Sequence, residues 1–114
     1  MSAVVAKSAH EIPDREPLRL VAGERVDATG RSREWREHVF VTAQGGTGWV
    51  PVRHLSGSSG MVTVREAYDT TELATSAGES LEVIKEDIRS GWVWCRSAEG
   101  REGWVPLSTL QPRV

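Results

Sequence analysis

The chain is poor in cysteine, tyrosine and phenylalanine, with one of each in 114 residues, and it has no long apolar run. Each scarcity excludes something. A lone Cys95 cannot form an intrachain disulfide, and it leaves no cysteine pair for zinc or redox chemistry. No apolar stretch approaches the roughly 20 residues that span a bilayer. The opening run Ala3-Val4-Val5-Ala6 is too short for a secretion signal and has no basic segment before it, so a cytoplasmic protein is expected. The densest basic stretch, Arg31, Arg33 and Arg36, is interrupted by Glu34 and Glu37, and the formal net charge is −2. Such a chain would release few counterions from a phosphate backbone. Neither nucleic acid nor membrane is expected as a partner.

Catalytic patterns are also wanting. His10, His38 and His54 are not at metal-ligand spacing, and no metal or cofactor is expected. Gly45-Gly46-Thr47-Gly48 lacks the Gly-Lys-Ser/Thr ending of a phosphate loop and reads as a turn. Glu86 and Asp87 are adjacent in a predicted loop, with nothing to bury them and shift a pKa. Cys95 could act as a nucleophile with a histidine, but free cysteine is among the most often buried residue types, and a structural thiol is the expectation. The expectation is a binding protein and not an enzyme.

What the chain does have is a repeat. Gly48-Trp49-Val50-Pro51 recurs as Gly103-Trp104-Val105-Pro106, an offset of 55 positions. The same offset carries Ala22-Gly23-Glu24 to Ala77-Gly78-Glu79 and Leu55 to Leu110. The boundary reads as Ser56-Gly57-Ser58-Ser59-Gly60, a flexible composition with no core side chain. The expected organisation is a first copy over 1–56, a linker over 57–61 and a second copy over 62–114. Within each copy the pattern is β. Leu81, Val83 and Ile84 suit one strand and Trp92-Val93-Trp94-Cys95 another, with a polar loop over 85–91 between them. Ala98-Glu99-Gly100 and Gln44-Gly45-Gly46 are hairpin signals, and Ser108-Thr109-Leu110 suits one 3₁₀ turn. Short strands and Gly-rich turns in about 55 residues indicate a small closed barrel. The fold class is all-β, with two small β-barrels in tandem.

Residues 62–110 resemble an SH3 domain. The resemblance rests on Glu66-Ala67-Tyr68-Asp69-Thr70 for the family's opening Ala-Leu-Tyr-Asp-Tyr, then Glu72-Leu73 and Gly78-Glu79-Ser80-Leu81. Trp92-Val93 stands for its Trp pair, and Gly100, Gly103 and Pro106 for its Gly-x-x-Gly-x-x-Pro ending. In the first copy Ser8-Ala9-His10 lies on Glu66-Ala67-Tyr68, the segment 11–17 is its long acidic first loop, and Trp35 is the equivalent of Trp92. The tandem is similar to bacterial variant SH3 proteins.

The resemblance implies a groove for proline-rich segments, where flat aromatics pack on a preformed polyproline helix and acids attract a flanking base. In the second copy it implies Tyr68, Trp92 and Pro106, with Asp69, Glu72, Glu86 and Asp87 as acids. In the first it implies His10, Trp35, Pro51 and His54. Thr70 and Thr109 stand where the family has tyrosines, which points to a protein or peptide ligand other than a strict PxxP motif. Trp49 and Trp104 read as packing residues. Trp92 and Trp94 share one face of their strand, and Trp92 divides between groove and core.

The leading expectation is an adaptor or accessory protein that binds a protein or peptide segment through one groove or a composite groove of both copies. A structural role, by homodimer formation or by plugging a partner with exposed tryptophans, is the alternative. Recognition of a cell-wall peptide or glycan is the third.

Overall fold

A computed structural model describes residues 3–12, 16–31 and 37–112. The strands are β1 (Ala3–Ala6), β2 (Arg19–Leu20), β3 (Arg25–Arg31), β4 (His38–Ala43), β5 (Gly46–Pro51) and β6 (Gly60–Thr63). There follow β7 (Tyr68–Asp69), β8 (Ser80–Asp87), β9 (Trp92–Ser97), β10 (Glu102–Pro106) and β11 (Leu110–Pro112). All named pairings are antiparallel. Single 3₁₀ turns occupy Val52–His54 and Leu107–Thr109, each just after a repeated proline. Among the described residues there is no α-helix.

The compact units do not coincide with contiguous halves. One unit comprises Met1–Asp14 with Thr71–Val114, and the other Arg15–Thr70. The first unit holds a five-stranded sheet in the order β10-β9-β8-β1-β11. Its strand β1 comes from the first copy, while every other strand comes from the second. The second unit holds a sheet in the order β5-β4-β3-β6 and the pair β2-β7. There β7 comes from the second copy, and β6 spans the end of the expected linker and the first residues of the second copy. The two copies have traded first strands. Gly60 and Met61, at the end of the expected linker, are strand residues opposite Ala28 and Asp27.

Alternation decides which side chains enter each core. In β9, Val93, Cys95 and Ser97 are buried while Trp92 and Trp94 are half-buried on the other face. Val93 and Cys95 join Ala6, Leu73, Leu81, Val83, Val105 and Leu110 in the first unit's core. The second unit's core gathers Leu18, Leu20, Val26, Val39, Val41, Val50, Leu55, Val62 and Val64. The expected polar loop over 85–91 is shorter: β8 runs on to Asp87 through a bulge between Val83 and Lys85, so Glu86 and Asp87 are strand residues opposite Val93 and Trp92.

The repeated Ala-Gly-Glu has a local explanation. Gly23 and Gly78 sit at φ +93 and +88, conformations that glycine adopts without a Cβ penalty. The following glutamate folds back, so Glu24 Oε1 accepts from Val21 N–H and Glu79 Oε1 from Ser76 N–H. The glycine N–H groups donate to Val64 O and Ala6 O, both at 2.7 Å, and those acceptors lie in the traded segments.

Closed barrels are not what the pairings make. Among the described residues the sheets stay open, with isolated bridges such as Leu55↔Val64 and Glu72↔Trp104 outside the named strands. Pro51 and Pro106 end β5 and β10 and have no N–H to extend a ladder.

One core position is out of character. Thr75 in the first unit stands where the second unit has Leu20, and its buried hydroxyl has no hydrogen-bond partner. Thr75→Val should stabilise the first unit by about 1 kcal/mol, because a desolvated, unbonded hydroxyl is removed with little change of shape. A urea unfolding midpoint that rises without a change of slope checks this.

Candidate functional site

Trading the first strands sorts the expected groove residues into two clusters. In the first unit, Trp92 opens β9 and faces Pro106 at the end of β10. His10 stands edge-on to Trp92, ring centroids 5.5 Å apart and planes at 76°. It is held there by a bridge to Thr75, with backbone N–H···O bonds of 3.0 and 3.1 Å in both directions. His10 Nε2 lies 2.9 Å from Glu72 Oε1, with the two side chains 14% and 20% exposed. Glu72 is fixed by its own bridge to Trp104. Thr109 Oγ1 donates to Pro106 O at 2.9 Å, so the residue at the expected tyrosine position serves the 3₁₀ turn. Imidazole, indole, proline ring and carboxylate are thus gathered at one place.

In the second unit Tyr68 stands edge-on to His54, centroids 5.0 Å apart and planes at 68°. His54 is buried, and its Nδ1 donates to Glu66 O at 3.1 Å. The His54 Nε2 lies 3.9 Å from Glu66 Oε2. Pro51 is buried just before the turn that carries His54. Asp69 meets Arg19 at 3.3 Å at the surface. Trp35 lies outside the described residues. The residue that faces Pro51, as Trp92 faces Pro106, is His38. Thr70 is no groove wall, since its Oγ1 accepts from Leu18 N–H at 2.6 Å.

His10 therefore joins Glu72, Trp92 and Pro106, and Tyr68 joins Pro51 and His54. The expected grouping within each copy has His10 and Tyr68 the other way round. The reason is that a strand's pattern records which face it buries, and two similar sheets offer the same face. His38 was missed although His38-Val39-Phe40-Val41 has the alternation of Trp92-Val93-Trp94-Cys95, which carries the correspondence.

Among the described residues, Trp49, Trp94 and Trp104 are occupied with packing. Trp49 stacks edge-on with Phe40 at 5.1 Å, and Trp104 with Trp94 at 5.3 Å, from matching cross-strand positions. Trp94 Nε1 donates to Glu102 Oε1 at 2.8 Å. That bond and a second from Arg96 hold the Glu102 carboxyl below its usual pKa. Burial pushes the Cys95 thiol up to about 11, so it stays protonated and a poor nucleophile at neutral pH. Among the described residues no three His, Cys, Asp or Glu side chains gather as a metal site.

Residues 63–113 match the Variant SH3 domain family. A variant SH3 domain is a module for peptide or protein binding, and SH3 domains generally take proline-rich peptides. The match identifies a binding domain and no catalytic family. The matched segment includes Tyr68, which belongs to the second unit, and omits His10, which belongs to the first. The chain is also 41% identical over 58 residues to sorting nexin lst-4 of Caenorhabditis elegans, covering 46% of this chain and 10% of that protein. It thus spans about a tenth of the length of that relative, which is an animal protein and gives no support to a bacterial kinship. No solved structure matches the chain.

Proposed function

We propose that the chain is a non-catalytic module that binds a peptide or protein segment, and that the groove around Trp92 is its principal site. The observation that carries this is the convergence of Trp92, His10, Pro106 and Glu72 in the unit that holds most of the variant SH3 segment. Trp92 is half-buried and offers part of its indole, which can lie against a proline ring or an aliphatic side chain. Glu72 offers acceptor oxygens beside it for a basic residue or a backbone N–H. The cluster of Tyr68, His54, Pro51 and His38 is a second such groove by the repeat, and the chain is then a tandem of SH3-like units. It is tighter: His38, Pro51 and His54 are buried, which leaves Tyr68 as its main open surface.

The experiment is a peptide array, proline-rich and proline-free, probed with the full chain and with Trp92→Ala. Loss of an aromatic contact of this kind at a groove centre costs about 2 kcal/mol, or roughly 30-fold in affinity. The variant should keep its circular dichroism and lose its peptides. Peptides retained at full strength by the folded variant would place the binding surface elsewhere.

A further inference from the structure

The first strands of the two copies are interchangeable in their pairing. Val5 faces Ser80 as Thr63 faces Arg25. Ala6 faces Leu110 as Val64 faces Leu55. His10 faces Thr75 as Tyr68 faces Leu20. Each body therefore offers the same slot, and either strand satisfies it. Something other than side-chain pattern must decide which strand enters which slot.

The length of the connection decides it. If the second copy closed on its own first strand, Tyr68 would face Thr75, Asp69 would face Ala74 and Thr70 would face Leu73. Thr71-Glu72 would then be the whole turn. Two-residue hairpin turns need positive φ at one or both central residues, which glycine, asparagine and aspartate supply. A β-branched threonine and a glutamate do not. The same residues are also already committed. Trp104 N–H donates to Thr71 O at 2.9 Å and Leu73 N–H donates to Trp104 O at 3.0 Å. A hairpin turn at 71–72 would break both bonds and lift Glu72 away from Gly103, where the backbone packs too closely for a Cβ.

We propose that this short connection forbids the second copy to close on itself, so that the groove at Trp92 is obligately completed by His10 from the first copy. His10 is a positioning and lining residue of a domain whose family-matched segment does not contain it. The inference concerns how the groove assembles and stands apart from whether a peptide binds there.

The test uses the full chain with Cys95→Ala, so that only introduced thiols can pair. Facing residues in antiparallel strands lie about 4.5–5.5 Å apart at Cα, within the range a disulfide spans. Val5→Cys with Ser80→Cys reports the traded pairing, and Thr63→Cys with Ser80→Cys reports self-closure. Arg25→Cys with Thr63→Cys is the matching traded pair in the other unit. In a mild redox buffer, both traded pairs should cross-link within the monomer while the self-closure pair keeps free thiols. Inserting about six Gly and Ser residues between Thr70 and Thr71 gives the turn room. It should raise cross-linking of the self-closure pair by roughly tenfold, in line with relief of one strained turn. Cross-linking of the self-closure pair without the insertion, or traded cross-links found only between chains, would overturn the proposal. So would an insertion that leaves the preference unchanged.

Discussion

Gly103→Ala should destabilise the first unit by about 2–4 kcal/mol, the combined cost of overpacking and of strained hydrogen bonds. A Cβ there would lie 2.7 Å from Glu72 C and Leu73 N, which are backbone atoms with no rotamer to retreat into. Moving them strains the Thr71–Trp104 and Leu73–Trp104 bonds and shifts Glu72 off His10. For a unit of this size that is most of the stability available. The matching glycine gives the control. A Cβ on Gly48 would meet the Thr70 methyl at 3.0 Å, a side-chain atom. Gly48→Ala should cost about 1 kcal/mol, and adding Thr70→Ser should recover it, because the methyl goes and the oxygen that serves Leu18 N–H stays. Thermal melts of the three variants check this. Equal losses at both glycines would contradict the distinction between backbone and side-chain neighbours.

Ala6→Asp should unfold the first unit, although the substitution lies in the first copy. Ala6 is fully buried in the core that contains Cys95 and Val105. An uncompensated carboxylate there costs about 3–5 kcal/mol, which exceeds or equals what the unit has. Val64→Asp is its counterpart in the other unit, since Val64 is buried among Leu55, Val62 and Leu20. Cys95 provides the readout because burial protects it and raises its pKa. Ala6→Asp should make Cys95 react with an alkylating reagent at the rate of an unfolded thiol. Val64→Asp should leave it protected. The reverse result would mean that each copy closes on its own first strand.

Much of this was legible in the residues. The offset between Gly48-Trp49-Val50-Pro51 and Gly103-Trp104-Val105-Pro106 marks matching strands with matching 3₁₀ turns after each proline. Alternation in Trp92-Val93-Trp94-Cys95 separates the half-buried face from the core. Gly100 and Gly46 sit at positive φ in the turn regions expected of them. The trade was not legible from pattern, because Ala3–Ala6 and Gly60–Thr63 satisfy the same sheet edge by the same periodicity. Only the count of residues between Tyr68 and Thr75, and the absence of glycine or asparagine at 71–72, carried a signal. That signal is stereochemical, and a search for hydrophobic period does not reach it. The grouping of groove residues followed the contiguous copies and therefore exchanged His10 with Tyr68.

The most direct measurement is a double-mutant cycle on peptide affinity in the full chain, using His10→Ala, Tyr68→Ala and Trp92→Ala with a peptide selected on the wild type. Residues in contact couple by roughly 0.5–3 kcal/mol, whereas independent sites add to within about 0.5 kcal/mol. The account predicts that His10 and Trp92 couple, since their rings meet at 5.5 Å, and that Tyr68 and Trp92, which belong to different units, are additive. Coupling of Tyr68 with Trp92 and additivity of His10 with Trp92 would contradict it, and would return the groove to a single copy.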